Sequence, residues 1–183
     1  FFFFFLFGLP PGGPHGTVLG MILAVITAFS LLQAAGGLDY VIHLAEKVLR
    51  RNPRRVTILA PLVTYLLILA SGTQHVIYAL LPVIAEVARK AGIRPERPLS
   101  ISVIASQHGL VASPVSAASV ALVGTLAASG VGLPQVLMVT IPATFLGVLA
   151  GTAAIAFKGR ELAEDPEYQK RLAEGKVNPP AER

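Results

Sequence analysis

Two short polar interruptions inside apolar sequence are the places where this chain could do chemistry. The first, Ser71-Gly72-Thr73-Gln74-His75, separates the apolar stretches Val56–Ala70 and Val76–Lys90. The second, Ser113-Pro114-Val115-Ser116, falls in the middle of the apolar stretch Leu99–Ala128. Their hydroxyl, amide and imidazole groups supply hydrogen-bond donors without the fixed charge that bilayer depth penalises. Each interruption is followed by apolar sequence that restarts a helix, so each presents unpaired N–H groups and the positive end of a helix dipole. That combination suits an anion, above all a carboxylate. The plainer alternative is that these residues only repair helix ends in an ordinary bundle. A pair of discontinuities favours a binding site, because broken elements at membrane depth are where transporter folds place one. The substrate-binding candidates are Ser71, Gly72, Thr73, Gln74, His75, Ser113, Pro114 and Ser116.

Other chemistries find less support. His75 and His108 are the only imidazoles in the apolar blocks downstream of residue 55, open to a proton-relay or substrate role, or to that of a neutral core histidine. No catalytic residue is expected: a Ser–His hydrolase would need a G-x-S-x-G elbow and an acidic orienter, and the apolar blocks offer neither. No His or carboxylate spacing resembles a closed metal site, and no cofactor is implied. Glu86 stands four residues before Lys90, an i,i+4 pair near a helix end. The net charge of +5 and a pI near 9.9 do not point to nucleic acid, because the basic residues sit in short clusters between apolar blocks rather than along one polar face. The absence of cysteine removes disulfides and thiolate chemistry.

The elements that must position the interruptions follow from hydropathy. Hydrophobic residues make up 54% of the 183 and charged residues only 14%, well below soluble domains. No Asp, Glu, Lys or Arg occurs in Phe1–Leu38 or in Pro98–Phe157. The expected fold class is therefore an all-α integral membrane protein. Residues 1–9 read as the end of a truncated transmembrane helix, and the Pro/Gly-rich residues 10–16 as a loop. Residues 17–37 form a transmembrane helix. Residues 38–55 form a cytoplasmic interfacial helix and basic loop, with Tyr40, Val41, Leu44, Val48 and Leu49 grouped on one face and Asp39, His43, Glu46, Lys47 and Arg50 mostly on the other.

Val56–Ala70, at about 15 residues, is nearer a re-entrant length than the roughly 20 of a full span. Arg50, Arg51, Arg54 and Arg55 precede this region, and Arg89, Lys90, Arg94 and Arg97 follow it, so both flanks are assigned to the cytoplasm. Residues 56–91 are accordingly expected as a re-entrant helical hairpin with its polar tip near mid-membrane, followed by a cytoplasmic loop at 92–98. Pro114 breaks the next apolar run, giving a discontinuous transmembrane helix over 99–128. A further span over 133–157 leads to a polar, partly disordered cytoplasmic tail at 158–183.

A resemblance sharpens this reading. Gln33-Ala34-Ala35-Gly36-Gly37-Leu38-Asp39-Tyr40, Glu46-Lys47-Val48-Leu49-Arg50-Arg51-Asn52-Pro53 and Thr57-Ile58-Leu59-Ala60-Pro61 closely resemble the Dcu family of anaerobic C4-dicarboxylate transporters. His75-Val76-Ile77-Tyr78, Leu81-Pro82-Val83-Ile84, Ile93-Arg94-Pro95-Glu96-Arg97-Pro98 and Ala112-Ser113-Pro114-Val115-Ser116 follow in family order. The tail segment Asp165-Pro166-Glu167-Tyr168 belongs to the same likeness.

The resemblance implies a multi-pass carrier of the bacterial inner membrane that takes up fumarate, malate or aspartate in exchange for succinate under anaerobic conditions. It implies a chain roughly twice this length, whose missing C-terminal half forms an inverted repeat of the part present here. It also implies C4-dicarboxylate substrates and membrane lipid as partners, and leaves room for a homo-oligomer. Three features depart from the family pattern: Gln74 stands where a glycine is expected, His108 where an apolar residue is expected, and the phenylalanine run at the start is not a family feature. A non-transporting membrane subunit or remnant and a channel are the competing readings.

Overall fold

The computed structural model describes residues 34–156 and 165–175, and upstream of these only Gly20, Leu23, Ala24, Thr27, Ala28, Ser30 and Leu31, all helical. The expected helix end at 1–9, the loop at 10–16 and much of the expected span at 17–37 lie outside the described residues.

Gly36, in the left-handed region at φ 75°, turns the chain into helix α1, Gly37–Arg51. The apolar residues of α1 divide between two faces. Ala45 and Leu49 are buried in the main core, while Tyr40, Val41, Leu44 and Val48 are exposed. The single face expected from the sequence is corrected here: nine residues, two and a half turns, carry Leu49 to the side opposite Tyr40.

A 3-10 turn, Pro53–Arg55, leads into α2, Val56–Ser71. Gly72 closes α2 with φ 66° and an N–H donated to the Ile68 carbonyl at 2.8 Å, a left-handed cap that glycine adopts without strain. Helix α3, Val76–Lys90, packs on α2 and on α1, and together they bury Val56, Ala60, Leu67, Ile68, Leu80, Ile84 and Ala88. Glu86 fastens α3 to α1, reaching Arg50 at 3.1 Å as well as Lys90 at 2.6 Å. Only the Lys90 pair was legible from spacing.

Helix α4, Glu96–Ala112, begins within the expected loop at 92–98, ahead of the expected start at 99. Pro95 precedes it and Pro98 lies in its first turn, where the missing N–H would have had no intrahelical partner. α4 is central. Its buried residues Ile101, Ser102, Ala105, Ser106, Gly109 and Ala112 recur every three or four positions, and the small ones let neighbouring backbones approach closely. A Cβ on Gly109 would lie 2.7 Å from the Tyr65 carbonyl oxygen of α2.

Helix α5, Ala117–Leu126, continues beyond the Ser113–Ser116 break at 43° to α4. Helix α6, Leu133–Ala156, packs on α4 through the Gly147-x-x-x-Gly151 pair, Gly147 against the His108 ring and Gly151 against Ile101. The buried Tyr65 joins α2 to α6, with its hydroxyl 3.0 Å from the Thr144 hydroxyl and 3.3 Å from the Ile141 carbonyl. Pro53–Ser71 and Leu133–Ala156 are each long and apolar enough to cross a bilayer, and α4 with α5 makes a third span if the bent pair is taken as one.

Within the polar tail, Asp165 caps a short helix α7, Pro166–Ala173, by accepting the Glu167 N–H at 3.0 Å. Asp165 also pairs with Arg94, in the loop between α3 and α4, at 3.3 Å. Residue 157 of the expected span and residues 158–164 and 176–183 of the expected tail lie outside the described residues.

Candidate functional site

The hairpin tip and the helix break are in direct contact. A Cβ on Gly72 would fall 2.7 Å from Val115 Cγ2 and 2.9 Å from the Val115 carbonyl carbon and oxygen, so only glycine lets the tip sit this close. A second tie comes from Gln74, whose Nε2 donates to the Ser106 hydroxyl of α4 at 3.4 Å. The side chain standing where a glycine was expected thus ties the tip to α4. Ser71, Gly72, Thr73 and Gln74 are buried or half-buried at the tip, and His75 is exposed, its ring 6.4 Å from that of Tyr78.

At the break, Ser113 and Ser116 are fully buried and Pro114 is half-buried. Their hydroxyls are engaged internally. Ser113 Oγ accepts the Val115 N–H at 3.3 Å. Ser116 Oγ accepts the Ser119 N–H at 3.1 Å, the bond of an N-cap residue to the third residue of its helix. Ser119 in turn donates its hydroxyl to the Val111 carbonyl at 3.2 Å, satisfying one of the acceptors left open where α4 stops. Ser71 Oγ donates to the carbonyls of Ile68 and Thr73 at 3.4 and 3.3 Å.

Some of the donors that the sequence suggested are taken. At the start of α3, the Ile77 and Tyr78 N–H groups fold back onto the Gln74 and His75 carbonyls at 3.1 and 3.2 Å. At the start of α5, the Ala117 and Ala118 N–H groups make no hydrogen bond among the described residues, and neither does the Thr73 hydroxyl. The Ala117 and Ala118 amides at the positive end of α5 and the Thr73 hydroxyl of the hairpin are thus donors of the kind that an anion uses.

His108 stands between α4 and α6. Its Nδ1 lies 2.9 Å from the Ile104 carbonyl, which can only accept, so Nδ1 carries a proton. Nε2 faces Gly147, 3.3 Å from where a Cβ would be. His108 and His75 are on different elements, and His108 is turned toward α6 rather than toward the break.

Sequence reasoning missed Ser106, Gly109 and Ser119, which hold the tip and the break in place. Two signals for them were present. Ser102, Ala105, Ser106, Gly109 and Ala112 form a small-residue row at helical spacing, and Ser116 precedes Ser119 by the three residues of a cap pair.

All-helical in its described residues, with two or three stretches able to cross a bilayer, the chain is a multi-pass integral membrane protein. Its sequence matches the family described as anaerobic C4-dicarboxylate membrane transporter over residues 1–183, and it belongs to that family. It is 48% identical over 170 residues to the C4-dicarboxylate transporter DcuA of Wolinella succinogenes, covering 93% of this chain and 39% of that protein. To DcuA of Escherichia coli K12 it is 46% identical over 171 residues, covering 93% and 40%. To the anaerobic C4-dicarboxylate transporter DcuB of Escherichia coli O6:H1 it is 47% identical over 174 residues, covering 92% and 39%. The chain thus spans about two fifths of the length of the curated relatives it matches. The family and these relatives are transporters, not enzymes. No solved structure shows a significant match.

Proposed function

We propose that the chain forms one half of a C4-dicarboxylate carrier of the bacterial inner membrane, which takes up fumarate, malate or aspartate in exchange for succinate in anaerobic metabolism. The observation that carries this reading is the contact between Gly72 of the hairpin tip and Val115 of the break, which joins the two non-helical segments into one feature. One carboxylate of the substrate lies against the Ala117 and Ala118 amides and the Thr73 hydroxyl, within the region bounded by Ser71, Gly72, Thr73, Gln74, His75, Ser113, Pro114 and Ser116. Ser113 and Ser116 shape the break, and the remaining helices of the full-length protein supply partners for the second carboxylate. Movement of this unit as a rigid body alternates access.

The test is uptake of labelled fumarate into succinate-loaded and empty vesicles, carrying the chain alone or the chain extended by the C-terminal part of a relative. Uptake is expected only with the extension and only into loaded vesicles. Equal uptake into empty vesicles would replace exchange with a channel. No uptake in either form, despite insertion, would favour a non-transporting subunit, the reading that the internally bonded serine hydroxyls support.

The hairpin α2–α3 is proposed to be re-entrant. The 15 residues of α3 span about 22 Å, short of a hydrocarbon core of about 30 Å, and basic residues flank the pair at both ends. The chain has no cysteine, so single cysteines at Asn52, Glu96 and Gly130 report topology directly. Positions 52 and 96 are expected to react from the cytoplasmic side and 130 from the opposite side. Labelling of 52 and 96 from opposite sides would make the hairpin a pair that crosses the membrane.

A further inference from the structure

Helix α1 carries an apolar surface that the protein core does not use. Its buried face is Ala45 and Leu49, whereas Tyr40 is 71% exposed and Leu44 49%, with Val48 and Val41 beside them. Tyr40, Leu44 and Val48 follow one another at i, i+4 and i+8, a continuous row along the helix. Lys47 and Arg51 lie within about 20° of Tyr40 around the helix axis at roughly 100° per residue, so they project from the same side. Arg54 and Arg55 follow in the next turn.

These four cations are exposed, and among the described residues none of them forms an ion pair. Their basic neighbour Arg50 behaves differently, being neutralised by Glu86. The acidic residues of α1, Asp39 and Glu46, lie on the Arg50 side and away from the row. The result is an exposed aliphatic and aromatic strip bordered by four uncompensated positive charges, at the entrance to the candidate span Pro53–Ser71.

We propose that this strip is a binding surface for anionic phospholipid. The phosphate headgroup is held by Lys47, Arg51, Arg54 and Arg55, and the upper acyl chain lies along Tyr40, Leu44 and Val48. Charge complementarity selects this occupant. A protein segment covering the apolar row would have to bring its own carboxylates to match four cations, while an anionic leaflet supplies the charge and accepts the tyrosine at its interface. Four basic residues on and just beyond an amphipathic helix also make the density that recruits acidic lipid to a membrane surface.

The chain contains no tryptophan, so Tyr40→Trp introduces a single fluorescent reporter on the strip. The protein is reconstituted in phosphatidylcholine vesicles containing equal mole fractions of either brominated phosphatidylglycerol or brominated phosphatidylcholine. Met138→Trp, on the 77% exposed outer face of α6, serves as the reference reporter. The expected result at position 40 is quenching about fivefold more effective by the brominated phosphatidylglycerol, the enrichment that the attraction of even one basic residue corresponds to. Position 138 should show no preference. Adding Lys47→Gln, Arg51→Gln, Arg54→Gln and Arg55→Gln should abolish the preference at position 40 while leaving quenching by both lipids. Equal quenching at position 40 in the unmodified background would overturn the headgroup selectivity. Quenching at 138 with none at 40 would show the strip covered by protein, a further segment or a second copy, and would overturn the proposal altogether.

Discussion

Gly109→Ala is expected to destabilise the helix bundle by about 1–3 kcal/mol, the range for forcing a methyl group into a packed interface. The direction runs against helix propensity, since alanine is favoured over glycine by about 1 kcal/mol in a helix interior. What decides the outcome is the identity of the opposing atoms. The new Cβ would stand 2.7 Å from the Tyr65 carbonyl oxygen, 3.1 Å from Ile68 Cβ and 3.3 Å from the Leu69 nitrogen. Two of these belong to the α2 backbone, which cannot rotate away, so α2 and α4 must separate. Separation would also pull Tyr65 from Thr144 and Ile141 and loosen the three-helix junction.

Gly151→Ala provides the contrast. Its Cβ would lie 2.8 Å from Ile101 Cδ1, the far end of a flexible side chain, and a rotamer change there relieves the overlap. Thermal unfolding of both variants in the same detergent measures the difference. Gly109→Ala should melt well below the parent and Gly151→Ala close to it; the reverse order would mean that α4 meets α6 more rigidly than it meets α2.

Gly72→Ala is expected to lower fumarate exchange on the order of tenfold or more in a full-length context, tenfold being the equivalent of about 1.4 kcal/mol in substrate binding. Two effects coincide at this glycine. At φ 66° an alanine pays about 1–2 kcal/mol for the left-handed conformation. Its Cβ would also press on Val115, at 2.7 Å from the side chain and 2.9 Å from the backbone carbonyl.

Gly92 separates the two effects. It has φ 72° but nothing within 4 Å of a Cβ, so Gly92→Ala carries the conformational strain without the collision. Exchange should be largely retained by Gly92→Ala and lost by Gly72→Ala, with both proteins present in the membrane at similar levels. Equal activity of the two would mean that the spacing between hairpin tip and break does not matter to the substrate, and the proposed site would have to be moved.

The two ends of the break also differ in a way that bears on mechanism. α4 ends with its Val111 carbonyl accepting the Ser119 hydroxyl, while α5 begins with two amides open. A serine cap on the third amide orients the turn without occupying the first two, so the positive end of α5 is both ordered and available. At the hairpin tip the Gln74 and His75 carbonyls accept the Ile77 and Tyr78 amides, and the Thr73 hydroxyl makes no hydrogen bond among the described residues. The two interruptions looked equivalent in the sequence; the hydrogen bonds show a serine cap at the break and a tight turn at the tip.

Much of this protein follows from local rules that need no neighbours. Charge-free runs longer than a bilayer crossing, punctuated by arginine clusters, define an all-helical membrane protein, because the bilayer leaves backbone groups few other ways to be satisfied. Gly72 and Pro114 mark the ends of helices because one adopts the left-handed cap and the other lacks a donor. What the local rules could not supply was pairing. The glycines at 109, 147 and 151 look alike in sequence, yet one meets a backbone carbonyl of α2, one an imidazole and one a movable isoleucine methyl. In an apolar medium close approach is set by which small residue faces which backbone, a property of the helix crossing rather than of either helix. The same holds for the polar groups: Ser113, Ser116 and Thr73 look alike on paper, and only the folded arrangement draws the first two into the turn and cap of the break while the Thr73 hydroxyl makes no hydrogen bond among the described residues.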